Sequence, residues 1–293
     1  MSNAAFSEWY SWSESPYFDR QSFYETFDGG QSFAWVRSDS FIEGTVLEHS
    51  FRLKLNQNKI VFSIPRSSKP EKAQAVLANY LATDSDFEAM RARFPWRSDP
   101  ILSQAINAFP HLRILRQPLS ETLLGFLCSS SKQITQIKEI LSLSAKKYGQ
   151  AISSNQYALP TWEQLAHISE TNLRQLKLGY RARYISQTAQ FIQAHPEWLE
   201  QLTKLDTAQA KNELTRLPGV GEKIADCVAL FALSKMDAFP IDTWIEKILT
   251  RAYGLHGYSK AQLAQFSQIH FGPDAGYAQQ FLFAAARAQI IPL

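Results

Sequence analysis

Apolar and polar residues alternate along much of the first third of the chain, and a helical period replaces this alternation further on. The alternating segments are, in chain order, 32–36, 41–47, 50–55 and 59–64. Because period-two alternation is typical of half-buried strands, the stretch from Tyr24 to Ile64 predicts an antiparallel meander, with a turn at 56–58. Helical periods follow at 71–82 and 86–94. We therefore expect an α+β domain of roughly a hundred residues, a usual domain size.

From Pro118 onward every periodic segment is helical, and the connections between segments are short and rich in polar residues, Gly or Pro. We expect helices near 119–130, 132–148, 161–167, 170–176, 181–194, 197–203, 207–217, 222–234, 243–254, 260–270 and 275–288. No segment of this part predicts a strand, and no internal repeat stands out. The boundary is placed at Arg116-Gln117-Pro118, which gives domains 1–116 and 117–293.

Composition agrees with a soluble globular protein of two domains. The 293 residues are 45% hydrophobic and 19% charged, which excludes a disordered chain. The net charge of +3 permits nucleic-acid binding without requiring it. Residues 1–115 carry 12 basic and 13 acidic side chains, whereas 116–293 carry 18 and 14. The differences of −1 and +4 place the excess positive charge in the C-terminal part.

Several function classes are excluded by the residues that the chain lacks. Cys128 and Cys227 are the two cysteines, too few for an iron–sulfur cluster or a cysteine-rich zinc site. The six histidines have no ligand spacing, so no metal is assigned. There is no phosphate-loop or dinucleotide fingerprint. Residues 1–14 do not look like a leader, and no apolar run has the length of a membrane span, so we expect a cytoplasmic protein.

The most informative segment is a hairpin between two helices, at 214–234. Its centre reads Leu-Pro-Gly-Val-Gly-Glu-Lys over residues 217–223. Gly219 and Gly221 suit a turn that needs positive φ and close approach of another backbone. The amides of Val220, Gly221 and Glu222 can then point at an anion such as a DNA phosphate. The turn is either a structural joint between helices or a non-specific DNA clamp.

Two charged residues stand close to helix starts in this part of the chain. Lys223 lies in the first turn of the second hairpin helix, on an otherwise apolar segment, and is either a surface residue or an amine in a cleft. Asp242 ends the Phe-Pro-Ile-Asp segment of the loop 239–243, where it can cap the next helix. A carboxylate there can also stabilise positive charge on a sugar. Both roles of Asp242 are compatible.

Three more segments carry residues that suit recognition of a nucleotide. Residues 29–35 read GGQSFAW and form either a turn into a strand or a wall where a ligand approaches Gly30. Gln279 and Phe283, within 271–283, share a helix face, in the core or against a base. Residues 177–184 read KLGYRARY, in which Tyr180 and Arg181 suit either a solvated helix start or an unstacked duplex.

These four segments together resemble the 8-oxoguanine DNA glycosylases, a branch of the base-excision enzymes with a helix-hairpin-helix and a Gly/Pro and Asp loop. The resemblance covers nearly the whole chain. It implies that Lys223 is the nucleophile at C1′ and that Asp242 stabilises the developing oxocarbenium character. It implies that the Gly30 carbonyl accepts the extra N7 proton of 8-oxoguanine. Gln279 would bind the Watson–Crick edge, with Phe283 and Cys227 on the two base faces.

The resemblance also implies which residues contact the DNA. The hairpin residues Gly219, Val220 and Gly221 would hold the backbone. Tyr180 would wedge into the gap left by the extruded nucleotide, and Arg181 would read the orphaned cytosine. The remaining residues placed at the DNA are Ser131, Lys132 and Trp244.

Three positions depart from the family pattern. Ser131 and Gln136 stand where animal-type members place an Asn and an Arg that read the opposite cytosine. Since Arg181 alone of that set is kept, we expect a relaxed preference for cytosine. Trp244 replaces a His two residues after the Asp. A Trp can pack against sugar or base but cannot titrate.

The fold that the resemblance implies is an N-terminal α+β domain, an antiparallel sheet with helices, followed by a mainly α helix-hairpin-helix glycosylase domain. The function implied is a bifunctional DNA glycosylase and AP lyase that flips 8-oxoguanine out of duplex DNA and excises it through a Lys Schiff base. The partner is damaged double-stranded DNA, bound by a monomer in the cytoplasm or nucleoid, and no cofactor is implied. The alternatives are a monofunctional glycosylase for alkylated bases, an inert helix-hairpin-helix DNA-binding protein and a helical interaction protein.

Overall fold

The computed structural model describes residues 6–153 and 155–292, so the expectation that residues 1–14 hold no leader lies partly outside it. Five antiparallel strands form the N-terminal sheet, in the order β1-β5-β4-β3-β2. They are β1 (Tyr10–Ser11), β2 (Trp35–Arg37), β3 (Ile42–Val46), β4 (His49–Asn56) and β5 (Lys59–Ser63). The helices of this part are α1 (Arg20–Asp28), α2 (Pro70–Tyr80), α3 (Phe87–Ala92) and α4 (Pro100–Ala108). The predicted meander is confirmed.

The tight turn between β4 and β5 shows how the sequence fixes the strand register. Asn56 pairs with Lys59, and the two residues between them have positive φ, 50° for Gln57 and 63° for Asn58. Two consecutive positive φ angles give a type I′ turn, whose twist matches that of the strands. The apolar side chains of both strands consequently face the core together.

The prediction of strand from Tyr24 was wrong for its first residues, because α1 covers 20–28. Asp19 caps this helix by accepting a hydrogen bond from the Ser22 amide at 2.9 Å. Phe23 and Phe27, four residues apart, both turn into the core. The aromatic residues had suggested a strand, but their spacing and the Asp cap decide for a helix. Strand β1 and helix α4 were not predicted.

The mainly helical part begins at Leu119 and also contains a small sheet. Its helices are α5 (Leu119–Leu127), α6 (Ile134–Tyr148), α7 (Trp162–Ala166), α8 (Glu170–Leu173), α9 (Arg181–Ala194), α10 (Trp198–Lys204), α11 (Thr207–Thr215), α12 (Glu222–Leu233), α13 (Thr243–Lys247), α14 (Lys260–Phe271) and α15 (Ala275–Arg287). The small sheet pairs β6 (Ala151–Ser153) with β7 (Gln156–Tyr157). The fold class predicted from the sequence is confirmed.

Three details of the helical part differ from the prediction. The expectation of no strand was wrong, since β6 and β7 are too short to show a period. The segment 170–176 is α-helical only to Leu173 and continues as a π-helical turn, Arg174–Leu178, in which Leu176 and Lys177 (φ 61°) leave helical geometry before α9. The segment 243–254 continues past α13 as a π-helical turn, Ile248–Ala252.

Two hydrophobic cores hold the molecule together. The smaller core lies between the five-stranded sheet and helices α1 and α2. The larger core fills the helical part. It also includes Phe87 of α3, Phe94 just after α3, and Leu102 of α4. Although these residues precede the predicted boundary at 116, they pack with the C-terminal helices. The cores thus divide near residue 82, and the boundary at 116 stays a prediction from sequence and charge.

Among the residues described, none forms a helix long and apolar enough to cross a bilayer.

Candidate active site and nucleic-acid interface

The hairpin between α11 and α12 has a turn that only glycine fits at one position. Gly219 has φ 84°, a conformation that costs other residues energy. A methyl group at its Cα would lie 2.6 Å from Cγ of Tyr184, far inside van der Waals distance. Leu217 and Val220 are buried on either side of it. The turn is thus fixed by the backbone and by an aromatic ring beneath it.

The free amides of the hairpin begin later in the chain than the predicted amides of Val220, Gly221 and Glu222. The Val220 amide donates to the Leu217 carbonyl at 3.1 Å, so the prediction that it binds an anion was wrong. Gly221 has extended backbone and precedes α12. The first helical hydrogen bond runs from Ala225 to Gly221. Hence the amides of residues 222–224 have no helical acceptor and are the natural anion donors.

Lys223 extends from the first turn of α12 into a partly enclosed position. Its Nζ lies 5.1 Å from the centroid of the Phe126 ring, within the range of a cation–π contact. Phe126 in turn stacks on Phe231 at 5.7 Å. Cys227, one turn further on, is buried, and burial raises the pKa of its thiol to about 11 despite the nearby Lys223 ammonium. The lysine thus has an aromatic side and a neutral thiol beside it.

Asp242 caps α13, as one of its two predicted roles requires. Its Oδ1 accepts hydrogen bonds from the amides of Trp244 at 3.0 Å and Ile245 at 2.9 Å. Both bonds use the same oxygen, and the carboxylate is half-buried. Asp242 and Lys223 both act electrostatically on the Cys227 thiol, with opposite signs. The two predicted catalytic groups therefore border one site, although among the described residues no ion pair joins them.

Gly30 and Phe283 are brought together from opposite ends of the chain. Gly30 has φ 107°, and a methyl group at its Cα would lie 3.6 Å from Phe283 Cε1 and 2.9 Å from Ile134 Cδ1. Arg287 braces the same turn from α15, donating to the Gly29 carbonyl. Any larger residue at position 30 would fill the space in front of the aromatic ring.

The segment that carries Gly30 is held by buried polar anchors. The Tyr80 hydroxyl hydrogen-bonds Ser32 Oγ at 2.9 Å and accepts from Trp35 Nε1 at 3.0 Å. The Gln31 amide donates to the Arg113 carbonyl at 2.8 Å and accepts from the Leu115 amide at 2.9 Å. Because buried polar groups are costly to leave unpaired, these bonds fix where the Gly30 carbonyl lies.

Gln279 connects α15, which carries Phe283, to the loop that carries Asp242. It is buried, and its Nε2 donates to the Pro240 carbonyl at 3.3 Å, two residues before Asp242. Its Oε1 accepts from Gln280 Nε2 at 2.7 Å. A side-chain amide has two N–H donors and two acceptor lone pairs. One N–H donor and one acceptor lone pair of Gln279 therefore remain for a ligand.

Tyr180 and Arg181 differ sharply in exposure. The Tyr180 side chain is 50% exposed at the start of α9, as a wedge requires. Arg181 is 4% exposed, and its guanidinium donates to the carbonyls of Ser130 and Leu178 and lies 4.4 Å from the Tyr180 ring. Arg181 must leave some of these contacts to reach a base.

The remaining predicted DNA contacts lie at the surface. Ser131 is exposed, with φ 53°, and Lys132 next to it is half-buried. The Trp244 side chain is 40% exposed at the start of α13. These three residues therefore lie where a duplex can reach them.

A buried ion pair between the hairpin helices was not predicted from the sequence. Asp226 on α12 is 7% exposed, and Lys211 Nζ on α11 lies 2.7 Å from its Oδ1 and 3.3 Å from Glu222 Oε2. Burial raises the pKa of Asp226 to about 6, and Lys211 opposes that rise. One acidic residue inside the apolar run 224–231 was the available signal. Phe126 and Tyr184 were not assigned to the site either, although Tyr184 ends the segment 177–184.

One cavity lies apart from the predicted catalytic and base-recognition residues. Its volume is about 730 Å³, and it lies between the outer face of the N-terminal sheet, α5, α6 and the β6–β7 hairpin. Phe33 and Phe126, whose rings meet at 5.2 Å, line it. Phe126 thus contacts this cavity and Lys223 as well. Among the predicted catalytic and base-recognition residues, none lines the cavity.

Comparisons with known proteins agree with this arrangement. Residues 19–123 match the family model described as 8-oxoguanine DNA glycosylase, N-terminal domain, and residues 126–269 match the HhH-GPD superfamily base excision DNA repair protein. The chain is 31% identical over 278 residues to N-glycosylase/DNA lyase OGG1 of Arabidopsis thaliana, covering 89% of this chain and 76% of the relative.

Solved structures give the same relationship. The 8-oxoguanine glycosylase/lyase of Clostridium acetobutylicum, in complex with double-stranded DNA containing cytosine opposite 8-oxoG, superposes with a TM-score of 0.86 at 28% identity, covering 98% of this chain and 99% of that one. A 3-methyladenine DNA-glycosylase from Archaeoglobus fulgidus, at 18% identity, has a TM-score of 0.75 and covers 96% and 99%. At that identity the second likeness shows the fold alone.

Proposed function

Because the chain belongs to the 8-oxoguanine DNA glycosylase family, we infer that it is a bifunctional DNA glycosylase and AP lyase that excises 8-oxoguanine from duplex DNA. The observation that carries this conclusion is Lys223, which lies in the first turn of α12 among the free amides of residues 222–224, with its Nζ over Phe126. A monofunctional enzyme needs no amine at this position. Lys223 therefore favours the lyase over the alkylated-base alternative.

In the proposed mechanism, the neutral amine of Lys223 attacks C1′ of the extruded nucleotide. The glycosidic bond breaks, its electron pair leaves with the base, and the base takes up the proton that the attacking nitrogen loses. Asp242 stabilises the positive charge that develops on the sugar, since one of its oxygens is held by two amides and the other is free of them. The aminal that forms opens to a Schiff base, and loss of a C2′ proton then expels the 3′ phosphate by β-elimination.

Four residues other than Lys223 and Asp242 are assigned to recognition of the base. We propose that the Gly30 carbonyl accepts the N7 proton of 8-oxoguanine, which unmodified guanine lacks. Phe283 stacks on the base, Cys227 contacts its other face, and Gln279 uses its remaining N–H and lone pair on the Watson–Crick edge. Guanine would leave the Gly30 carbonyl facing a lone pair, which is costly in a buried site.

The Gly219–Gly221 hairpin is proposed to hold the DNA backbone through the amides of residues 222–224, and Tyr180 to enter the base stack. Ser131, Lys132 and Trp244 are proposed to contact the duplex nearby. Ser131 and Trp244 are exposed, and Ser131 and Lys132 follow Ser130, whose carbonyl accepts from Arg181 next to Tyr180. Action as a monomer in the cytoplasm or nucleoid is part of the same proposal, since one chain carries every residue assigned to the site.

The test is excision from duplexes with 8-oxoguanine opposite each of the four normal bases, under single-turnover conditions. We expect release of 8-oxoguanine and strand nicking in all four, with rates that differ by less than about tenfold, because Arg181 is the single cytosine-reading residue retained. Matched duplexes with guanine or an alkylated purine are the controls. Release of the alkylated purine with 8-oxoguanine left intact would overturn the proposal.

A further inference from the structure

We propose that Tyr184 is a positioning residue that joins the DNA-backbone clamp to the wedge residue Tyr180. The inference rests on the proposed function and adds a residue to which no role has been given above. Its basis is that one aromatic ring contacts both the hairpin turn and the wedge.

The first contact is with the hairpin turn. The Tyr184 ring lies so close to the Gly219 Cα that a methyl group there would be 2.6 Å from Tyr184 Cγ and 3.0 Å from its Cε2. The ring therefore supports the backbone of the turn directly, and no other side chain lies between them. Since Gly219 also has φ 84°, the turn has little freedom to settle elsewhere.

The second contact is with the wedge. The rings of Tyr180 and Tyr184 meet edge to face, with centroids 5.8 Å apart and planes at 76°. This is the geometry that aromatic pairs prefer. Both residues belong to one helical turn at the start of α9, four positions apart. The half-exposed Tyr180 ring is thereby held from its buried side.

The two contacts have a consequence for base extrusion. The hairpin turn determines where the DNA backbone is held, and Tyr180 must enter the base stack at a matching place. A small misplacement between these two elements reduces the fraction of complexes in which the nucleotide is extruded. Tyr184 spans the elements with a rigid ring, so it sets their separation. In this proposal Tyr184 acts on the DNA through Tyr180 and makes no contact of its own with the substrate.

A double-mutant cycle separates this role from simple packing. Tyr184→Phe keeps the ring, whereas Tyr184→Leu keeps apolar volume without a ring edge. Each is made alone and together with Tyr180→Ala. Extrusion is read from 2-aminopurine fluorescence next to a tetrahydrofuran abasic analogue, which requires no catalysis. The single-turnover rate on an 8-oxoguanine duplex is the second readout, and thermal unfolding monitors the fold.

We expect Tyr184→Phe to keep extrusion and rate within about twofold, and Tyr184→Leu to lose about five- to tenfold in both, the scale of one edge-to-face contact. In the Tyr180→Ala background, Tyr184→Leu should have no further effect. Should Tyr184→Leu unfold, Tyr184→Met replaces it in the same cycle.

Equal fluorescence for Tyr184→Leu and Tyr184→Phe would overturn the inference, as would losses that add fully to those of Tyr180→Ala. Failure of the proposed function has a different signature. In that case the unsubstituted protein would leave 8-oxoguanine in place, while the fluorescence cycle on the abasic analogue would still report on Tyr184.

Discussion

Replacement of Lys211 by Met is expected to destabilise the protein in a way that depends on pH. Lys211 is the partner of the buried Asp226, at 2.7 Å, and joins the two hairpin helices. Burial raises the Asp226 pKa from 3.8 to about 6 even with this partner in place. That difference corresponds to a penalty of about 3 kcal/mol on the ionised form. Without Lys211 the penalty increases further, because the attraction that opposes burial is gone.

The sign follows from the raised pKa. The folded state binds the Asp226 proton more tightly than the unfolded state. The contribution of this proton to the free energy of unfolding is therefore fully present below about pH 4 and is lost as pH rises through 6. Breaking a buried pair costs about 3–5 kcal/mol. Because the Lys211 side chain is 25% exposed, we expect a smaller loss here. Lys211→Met should lower the free energy of unfolding by about 2–3 kcal/mol at pH 7.5. At pH 4.5, where Asp226 is neutral in the folded state, the loss should be under about 1 kcal/mol.

Urea unfolding followed by circular dichroism at the two pH values measures this. Lys211→Arg is the matched control and should lose little at either pH. The double variant Lys211→Met with Asp226→Asn should recover much of the loss at pH 7.5, since no buried charge remains. Equal destabilisation by Lys211→Met at pH 4.5 and 7.5 would refute the reasoning and assign the effect to lost packing.

Other substitutions give equally specific expectations. Gly30→Ala should lower 8-oxoguanine excision at least about tenfold, because its methyl group would meet Ile134 in the recognition pocket, while nicking of a preformed abasic site persists in a gel assay. Burial raises the Glu121 pKa to about 7, so the ionised carboxylate is unfavourable in the folded state. Glu121→Gln should therefore stabilise the protein by up to about 3 kcal/mol at pH 8.5 and little at pH 4.5 in urea titrations. Equal effects at both pH values would contradict this. Trp244→Ala should weaken duplex binding by about 1 kcal/mol in fluorescence anisotropy, the lower range for an aromatic ring stacked on DNA, whereas an unchanged Kd would place Trp244 away from the duplex.

Much of the fold was accessible from the sequence because its local signals agree with its long-range packing. The strands β3 to β5 alternate cleanly, and the hairpin at 217–223 carries glycines where the backbone needs them. Helix α1 was missed because four aromatic residues within 18–27 imitate a strand, and the cap at Asp19 was overlooked. The domain assignment from charge could not show that α4 packs with the C-terminal helices, since that contact is purely tertiary.

The site was predictable where one residue type meets one chemical need, and it was not predictable where the role comes from geometry. Lys223 and Asp242 were singled out by their positions at helix starts, and their predicted catalytic roles came from the resemblance to the 8-oxoguanine DNA glycosylases. The capture of the Val220 amide by Leu217 depends on the exact turn, which a Gly-x-Gly pattern does not specify. The role of Phe126 depends on where Lys223 points, and the burial of Arg181 depends on the Ser130 carbonyl of a distant loop. None of these contacts has a signature in sequence spacing.

The central claim is that Lys223 is the nucleophile, and borohydride trapping on an 8-oxoguanine duplex tests it most directly. Reduction of the Schiff base should give a covalent protein–DNA adduct with the unsubstituted protein, and peptide mapping should place it at Lys223. Lys223→Gln should give no adduct, whereas Lys211→Arg, a cation change outside the site, should still give one. An adduct that persists in Lys223→Gln, or excision without any adduct in the unsubstituted protein, would contradict the account.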